Sequence, residues 1–221
     1  MSGSETGAQW RALAAGAAVS AVLAPCVARV WLSQLAWAPQ NERAFVEASA
    51  LAGVGLILRT AQAPGLAADL ASTAALAAIA LLWLPSGSAL AALGVPLVLI
   101  LAAALHALAL RWTRDRGRAA RATLAVLALM TTAPLWAAPA AERTSRVVAD
   151  AIVALSPLSL LAVLAGHDYL REPWWYAHSA FGALRFAYPS AGALVASYLC
   201  ASVLCYAAAR ASLHTQRSTS P

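Results

Sequence analysis

The chain has 221 residues, of which 62% are hydrophobic and only 11% are charged. Soluble domains carry about 25% charged residues, so this composition excludes an ordinary water-exposed globule. The fifteen basic residues are all arginine and the formal net charge is +6. In so apolar a chain we attribute this excess to cytoplasmic loops, which collect arginine in membrane proteins, and not to nucleic-acid binding.

Six stretches approach the length of about 20 apolar residues that a helix needs to cross the hydrocarbon core of a bilayer. They cover residues 12–35, 44–58, 66–84, 89–110, 122–138 and 190–209. The second stretch is short and contains Glu47. We therefore predict an all-α, polytopic membrane protein with a single transmembrane domain over residues 1–221 and about six spans.

The arginine distribution orients these spans. Residues 111–121, here called the arginine segment, read RWTRDRGRAAR and contain Arg111, Arg114, Arg116, Arg118 and Arg121. With a cytoplasmic N-terminus, nine of the fifteen arginines fall on the cytoplasmic side, as the positive-inside rule requires. Arginine without lysine, in an alanine-rich chain, is typical of a GC-rich bacterial genome. We predict a bacterial inner-membrane protein with both termini cytoplasmic, whose arginine segment contacts a partner subunit or anionic headgroups.

The long connection over residues 139–189 is predicted to lie on the outer side. Its first part, RVVADAIVALSPLSLLAVL, is apolar but interrupted by Ser156-Pro157. Because irregular backbone cannot face lipid, this pattern predicts an interfacial or re-entrant helix pair. The aromatic stretch that follows includes Trp174, Trp175 and Tyr176. It is typical of an outer interfacial belt, with a gating role as the alternative.

The absence of lysine excludes several chemistries. A P-loop needs its phosphate-binding lysine, and Schiff-base catalysis needs a lysine amine. The chain also contains no G-x-S-x-G or H-E-x-x-H motif, so we expect neither an enzyme nor a cofactor in this chain alone. His106 lies in the middle of the fourth span and has two readings: a neutral imidazole bonded to a neighbouring helix, or a haem or chlorophyll ligand.

Four potential ligands cluster in the outer connection: His167, Asp168, Glu172 and His178. Their spacing matches no zinc motif, so we predict no metal site there. An ion pair between Asp168 and Arg171 is the simpler interpretation. Glu47 and Asp69 are the acids near or inside spans, where they serve either as a proton relay or as span-end residues that reach interfacial water.

Residues 111–210 resemble the permease subunits of ABC-2-type transporters. RWTRDRGRAARATLAVLALMTTAPLW is similar to the basic loop and fifth span of that family. ADAIVALSPLSLLAVL is similar to its outer hairpin, with Ser156-Pro157 at the turn, and SAGALVASYLCASVLCYAAAR to its last span. The amphipathic first helix and the E-R-x-x-G-T-like stretch of such permeases have no evident counterpart in the first half.

This resemblance implies a membrane-spanning permease subunit that moves substrate by alternating access. Its partners would be the lipid bilayer, a separate ATP-binding subunit and a second permease copy. The outer hairpin or gate would then comprise Ser156, Pro157, Trp174, Trp175 and Tyr176. The alternative is a structural or accessory subunit of a larger assembly, such as an electron-transfer or photosynthetic complex. It rests on the eight tryptophans, on small-residue helix faces and on His106.

Overall fold

The computed structural model describes residues 39–61, 73–74, 78, 89–137, 145–178 and 187–217. The longer elements in these segments are all helical. They are α1 (Gln40–Ala61), α2 (Ala89–Thr113), α3 (Arg116–Trp136), α4 (Arg146–Leu155), α5 (Pro157–Ala165), a 3-10 helix (Tyr169–Arg171), α6 (Pro173–His178) and α7 (Ala191–Arg217). For this part of the chain the all-α prediction is confirmed.

Among the described residues, three helices are long and apolar enough to cross a membrane, judged by length and composition. They are α2, α3 and the Ala191–Ala211 part of α7; the pair α4 and α5, bent by 86°, is a fourth if it counts as one span. Six spans are therefore not confirmed. The predicted spans 12–35 and 66–84 lie outside the described residues, except for helical positions 73, 74 and 78. The predicted span 44–58 lies inside the longer helix α1.

The central helix is α2, which packs against α1, α3, α5 and α7. Its buried face consists largely of alanine, valine and leucine, and small residues let helix backbones approach closely. Gly94 marks one such approach, because a Cβ there would lie 2.7 Å from Cδ2 of Leu161 on α5. The short helix α5 is thus pressed into the bundle, and its residues Leu160 and Leu161 are buried in the main core.

The connection between α2 and α3 is shorter than the predicted loop over residues 111–121. Only Arg114 and Asp115 lie between the two helices. Arg114 has a φ of 54°, and its N–H donates to the Leu110 carbonyl at 2.8 Å, which ends α2. The Asp115 carboxylate then accepts from the Arg118 N–H at 2.6 Å and caps α3. Since arginine is a good helix former, most of the arginine segment continues the two helices.

Helix α7 also runs further than the predicted span 190–209, because it continues through the polar residues to Arg217. Near residue 208 this helix is bonded to α2, because the Arg111 guanidinium donates a hydrogen bond to the Ala208 carbonyl. This contact holds the end of the last helix against the arginine segment.

Candidate functional site: a hydroxyl-lined helix break

The break between α4 and α5 falls at Ser156-Pro157, as the sequence predicts. Proline at the first position of α5 has no N–H to continue the helix, and the chain bends there by 86°. Both residues are buried, Ser156 completely. A buried break leaves backbone groups without helical partners, so other parts of the molecule must supply hydrogen bonds.

Hydroxyl groups of the break itself, of α7 and of the 3-10 helix make hydrogen bonds around the break. The Ser156 hydroxyl donates to the Thr131 carbonyl on α3 at 3.2 Å. The Tyr198 hydroxyl on α7 donates to the Leu155 carbonyl, at the end of α4, at 3.1 Å. The break is therefore bonded to both of the long helices that precede and follow it in the chain.

Tyr169 completes the polar cluster from the 3-10 helix. Its hydroxyl lies 3.1 Å from the Ser159 hydroxyl, with a longer contact of 3.5 Å to Ser156. Tyr169 and Ser159 are both buried, and burial raises the pKa of the Tyr169 phenol above its ordinary value. The phenol is therefore protonated at neutral pH and available to share its hydrogen with the serines.

The end of α5 turns the chain so that Tyr169 reaches back to the break. Gly166 has a φ of +68° and closes α5 in a Schellman motif, in which the His167 N–H donates to the Ala162 carbonyl at 2.9 Å. The Asn41 side chain at the start of α1 donates to the Gly166 carbonyl at 3.0 Å. This bond attaches the turn to α1.

An aromatic stack lies beside the turn. The Phe45 ring of α1 stacks on His167 with centroids 5.0 Å apart and on Tyr169 with centroids 5.6 Å apart. Ring pairs at such distances stabilise a structure beyond their area burial. The stack connects α1 to Tyr169 and so to the hydroxyl cluster.

Charged groups surround the turn on its more exposed side. The predicted ion pair is present, with Arg171 Nε at 3.3 Å from Asp168 Oδ2. The Tyr188 hydroxyl donates to Asp168 Oδ1 at 2.9 Å, and burial together with the Asp168 charge raises the pKa of that phenol. His167 lies 3.6 Å from Glu172. Asp168 and Glu172 are therefore already paired with neighbouring side chains, and these pairs orient the turn.

The predicted ligand cluster does not assemble into a metal centre in the part of the chain that the structure describes. No three His, Cys, Asp or Glu side chains come together there. His178 lies at the end of α6, whereas His167 faces the Phe45 ring. What the site offers is a buried set of hydroxyl and carbonyl groups that bond to one another across the break.

The other predicted site residues lie elsewhere. The backbones of Trp174, Trp175 and Tyr176 form part of α6, and their side chains lie outside the described part. His106 is buried on α2, with 6% of its surface exposed. It lies on the second half of that helix, at the end nearer the arginine segment, and its role as a cofactor ligand stays a prediction.

Glu47 is a buried carboxyl group, with only 3% of its surface exposed. It lies on the face of α1 that also carries the core residues Ala44, Ala48 and Leu51. Its Oε2 atom is buried without a hydrogen-bond partner. Asp69, the second predicted relay residue, lies outside the described residues, so a relay between the two stays a prediction.

Sequence reasoning missed the residues that hold the site together. Tyr169, Tyr198 and Asn41 each bond a backbone or hydroxyl group at the break or the turn. No motif marks them, because their partners lie far away in the chain. Gly166 could have been found, since glycine after a short apolar run is a signal for a helix end.

Comparison with protein-family models, curated proteins and solved structures gives no match for this chain. The class of protein is therefore defined by the fold alone. In the part of the chain that the structure describes, this is a helical protein with three, or up to four, helices of membrane-spanning length and composition.

Proposed function

We propose that the chain is the membrane-spanning permease subunit of an ABC-2-type transporter, with a separate ATPase subunit as its source of energy. The observation that carries the proposal is the broken helix pair α4 and α5. Many transporters place their binding sites and gates at discontinuous helices, because the break exposes backbone groups at membrane depth. Here the break is buried, lined by hydroxyl groups and inserted between two helices of spanning length.

The hydrogen bonds at the break supply a mechanism for the gate. Ser156 is bonded to α3 through Thr131, and the end of α4 is bonded to α7 through Tyr198. A change in tilt between α3 and α7 therefore acts on the break from two sides. Alternating access would use this coupling: when the ATPase tilts the spans, the outer helix pair would move and expose a path to the outer side.

The order of elements agrees with the resemblance in residues 111–210. An arginine-rich turn, a long helix, a bent helix pair and a last long helix follow one another in that order. The missing lysine supports a separate ATPase, since a P-loop cannot form in this chain. In this arrangement both termini and the arginine segment are cytoplasmic and the break lies on the outer side of a bacterial inner membrane.

The decisive experiment is purification of the tagged full chain from its native membrane in mild detergent, followed by mass spectrometry and visible absorption spectroscopy. A colourless sample that retains a P-loop ATPase would support the permease. Haem or chlorophyll bands with redox subunits would contradict it, favour the accessory-subunit alternative and direct attention to His106.

The gate can be tested in that complex with the double variant Ser156→Ala/Tyr198→Phe, which removes both bonds from the break to the flanking helices. For the readout, Val153→Cys, a fully buried position three residues before the break, reports opening of the break through maleimide labelling in a background without native cysteines. We expect ATP with vanadate to change the labelling rate severalfold before the bonds are removed, and to change it little afterwards. Ser197→Ala is the matched control, because that hydroxyl bonds only carbonyls of its own helix. Equal nucleotide responses in all variants would contradict the proposed coupling.

A further inference from the structure

A narrow apolar cleft opens between the second half of α2 and the first half of α3. Its volume is about 270 Å³. The walls include Leu105, Leu108 and Trp112 of α2 and Ala122, Thr123 and Val126 of α3. The volume of the cleft is smaller than the roughly 300–1,000 Å³ of pockets that enclose compact drug-sized ligands. The cleft therefore suits a slender chain of carbon atoms.

The two threonines at the cleft have no free hydroxyl hydrogen to donate to a guest. The Thr113 hydroxyl donates to the Ala109 carbonyl of its own helix at 2.9 Å. The Thr123 hydroxyl donates to the Ala119 carbonyl at 2.8 Å. Every other wall residue named above, apart from the Trp112 indole, carries an apolar side chain. Whatever fills the cleft must therefore be apolar along its length.

One end of the cleft meets the arginine segment. Arg118 lies one helical turn before Ala122 and two turns before Val126, so the three share one stripe of α3. Arg114, Arg116, Arg118 and Arg121 are all exposed. The acid of the segment, Asp115, caps α3 through the Arg118 backbone. Trp112 is 80% exposed at the same end, and tryptophan is enriched at headgroup depth.

We propose that this cleft is a binding site for an anionic phospholipid. One acyl chain lies between α2 and α3, and Arg118 with its neighbours holds the headgroup phosphate. An apolar slot that ends in a cluster of arginines matches an amphiphile with a negative head, and charge complementarity selects the phospholipid over an apolar protein surface. The site depends on α2 and α3 crossing the bilayer and not on the permease function.

The test uses the purified full chain in dodecyl maltoside, titrated with phosphatidylglycerol. Thermal stability and lipid adducts in native mass spectrometry are the two readouts. We expect phosphatidylglycerol to stabilise the protein more than phosphatidylcholine does. Arg118→Gln should weaken the apparent affinity about fivefold, the factor that corresponds to about 1 kcal/mol for one arginine near an anionic surface. Arg146→Gln, an exposed arginine at the start of α4 and not at the end of the molecule that holds the arginine segment, should change it little.

A second pair of variants tests the slot itself. Val126→Trp fills the cleft and should abolish the preference for phosphatidylglycerol. Leu129→Trp places the same side chain at an exposed position of α3 outside the cleft and should leave the preference intact. Gel filtration before titration shows whether each variant is folded; if Val126→Trp is not, Ala122→Leu replaces it.

Four results would overturn the lipid site. Phosphatidylcholine could stabilise the protein as well as phosphatidylglycerol does, or glycerol phosphate without acyl chains could reproduce the effect. Arg118→Gln and Arg146→Gln could weaken binding equally. Light scattering could show that Val126→Trp dissociates a dimer while lipid binding persists, which would make a second copy of the chain the occupant. None of these results bears on co-purification of an ATPase, so the two proposals fail separately.

Discussion

Gly166 has a backbone φ of +68°, in the left-handed region where a Cβ crowds the following carbonyl oxygen. The residue ends α5 and directs the chain so that Tyr169 returns to Ser156 and Ser159. A single backbone conformation thus determines whether the hydroxyl cluster can form.

Replacement of this residue should be costly although no neighbour blocks a Cβ there. We expect Gly166→Ala to lower the free energy of unfolding by about 1–2 kcal/mol, because alanine is strained at this φ. Unfolding by SDS in mixed micelles measures the change. Gly192→Ala is the control, since that helical glycine also has open space around it and should become slightly more stable. Equal effects at both positions would contradict the argument.

Glu47 presents the opposite case, a side chain whose burial is costly. Its Oε2 atom has no hydrogen-bond partner although the charge of Arg43 lies near, and a buried polar atom without a partner destabilises a fold. We expect Glu47→Met to raise the free energy of unfolding by about 1–3 kcal/mol, again measured in mixed micelles. Glu42→Met, nearer the exposed start of α1, should change it by less than about 0.5 kcal/mol. A loss of stability in Glu47→Met would instead indicate that the carboxyl group binds a proton or cation partner.

Among the helices, the crossing of α2 and α5 is the contact that places the break inside the bundle. A Cβ on Gly94 would lie 2.7 Å from Leu161 Cδ2 and 3.1 Å from Leu164 Cδ1. Leu161 is itself buried, so it has little room to move away. Glycine at this position sets how deeply α5 can enter.

A larger side chain at the crossing should therefore separate the two helices. We expect Gly94→Val to reduce the free energy of unfolding by about 1–3 kcal/mol through overpacking and to increase labelling of Val153→Cys beside the break. Gly53→Val on α1 is the comparison, because a Cβ there meets nothing within 4 Å. If the two valine variants behaved alike, the close crossing would not be what holds α5 in place.

The helix pattern was more predictable than the helix ends. Long apolar runs predicted α2, α3 and α7, and the Ser156-Pro157 pair predicted the bend, because proline cannot continue a helix. The helical structure of the arginine segment was not predicted, because its charged residues were interpreted as a loop although arginine is a good helix former. Tertiary bonds such as Tyr198 to Leu155 could not be predicted, because a single sequence shows no pairing between distant residues.

At the scale of the whole molecule, its two ends differ in how arginines and acidic residues are distributed. One end holds the arginine segment with five arginines and Asp115. At the other end, two of the described arginines lie beside acids: Arg171 beside Asp168 and Arg146 beside Asp150. This asymmetry is the basis for placing the arginine segment in the cytoplasm.

Cysteine labelling in intact bacteria tests that orientation. In a background without native cysteines, Ser145→Cys before α4 should react with a membrane-impermeant maleimide from outside. Gly117→Cys at the start of α3 should react only after the membrane is opened. Both positions are exposed on the protein surface, so a difference in labelling reports the side of the membrane on which each residue lies. The reverse pattern would invert the topology and place the helix break on the cytoplasmic side.

The two-residue connection between α2 and α3 also determines how the chain can enter a membrane. Two residues span at most about 7 Å, so these helices must insert together as an antiparallel hairpin soon after synthesis. The Arg111 guanidinium of that hairpin cannot meet the Ala208 carbonyl until α7 has been made. Of the described helices, α7 is made after all the others, so this bond forms only then, and a chain truncated before α7 would insert the hairpin without it.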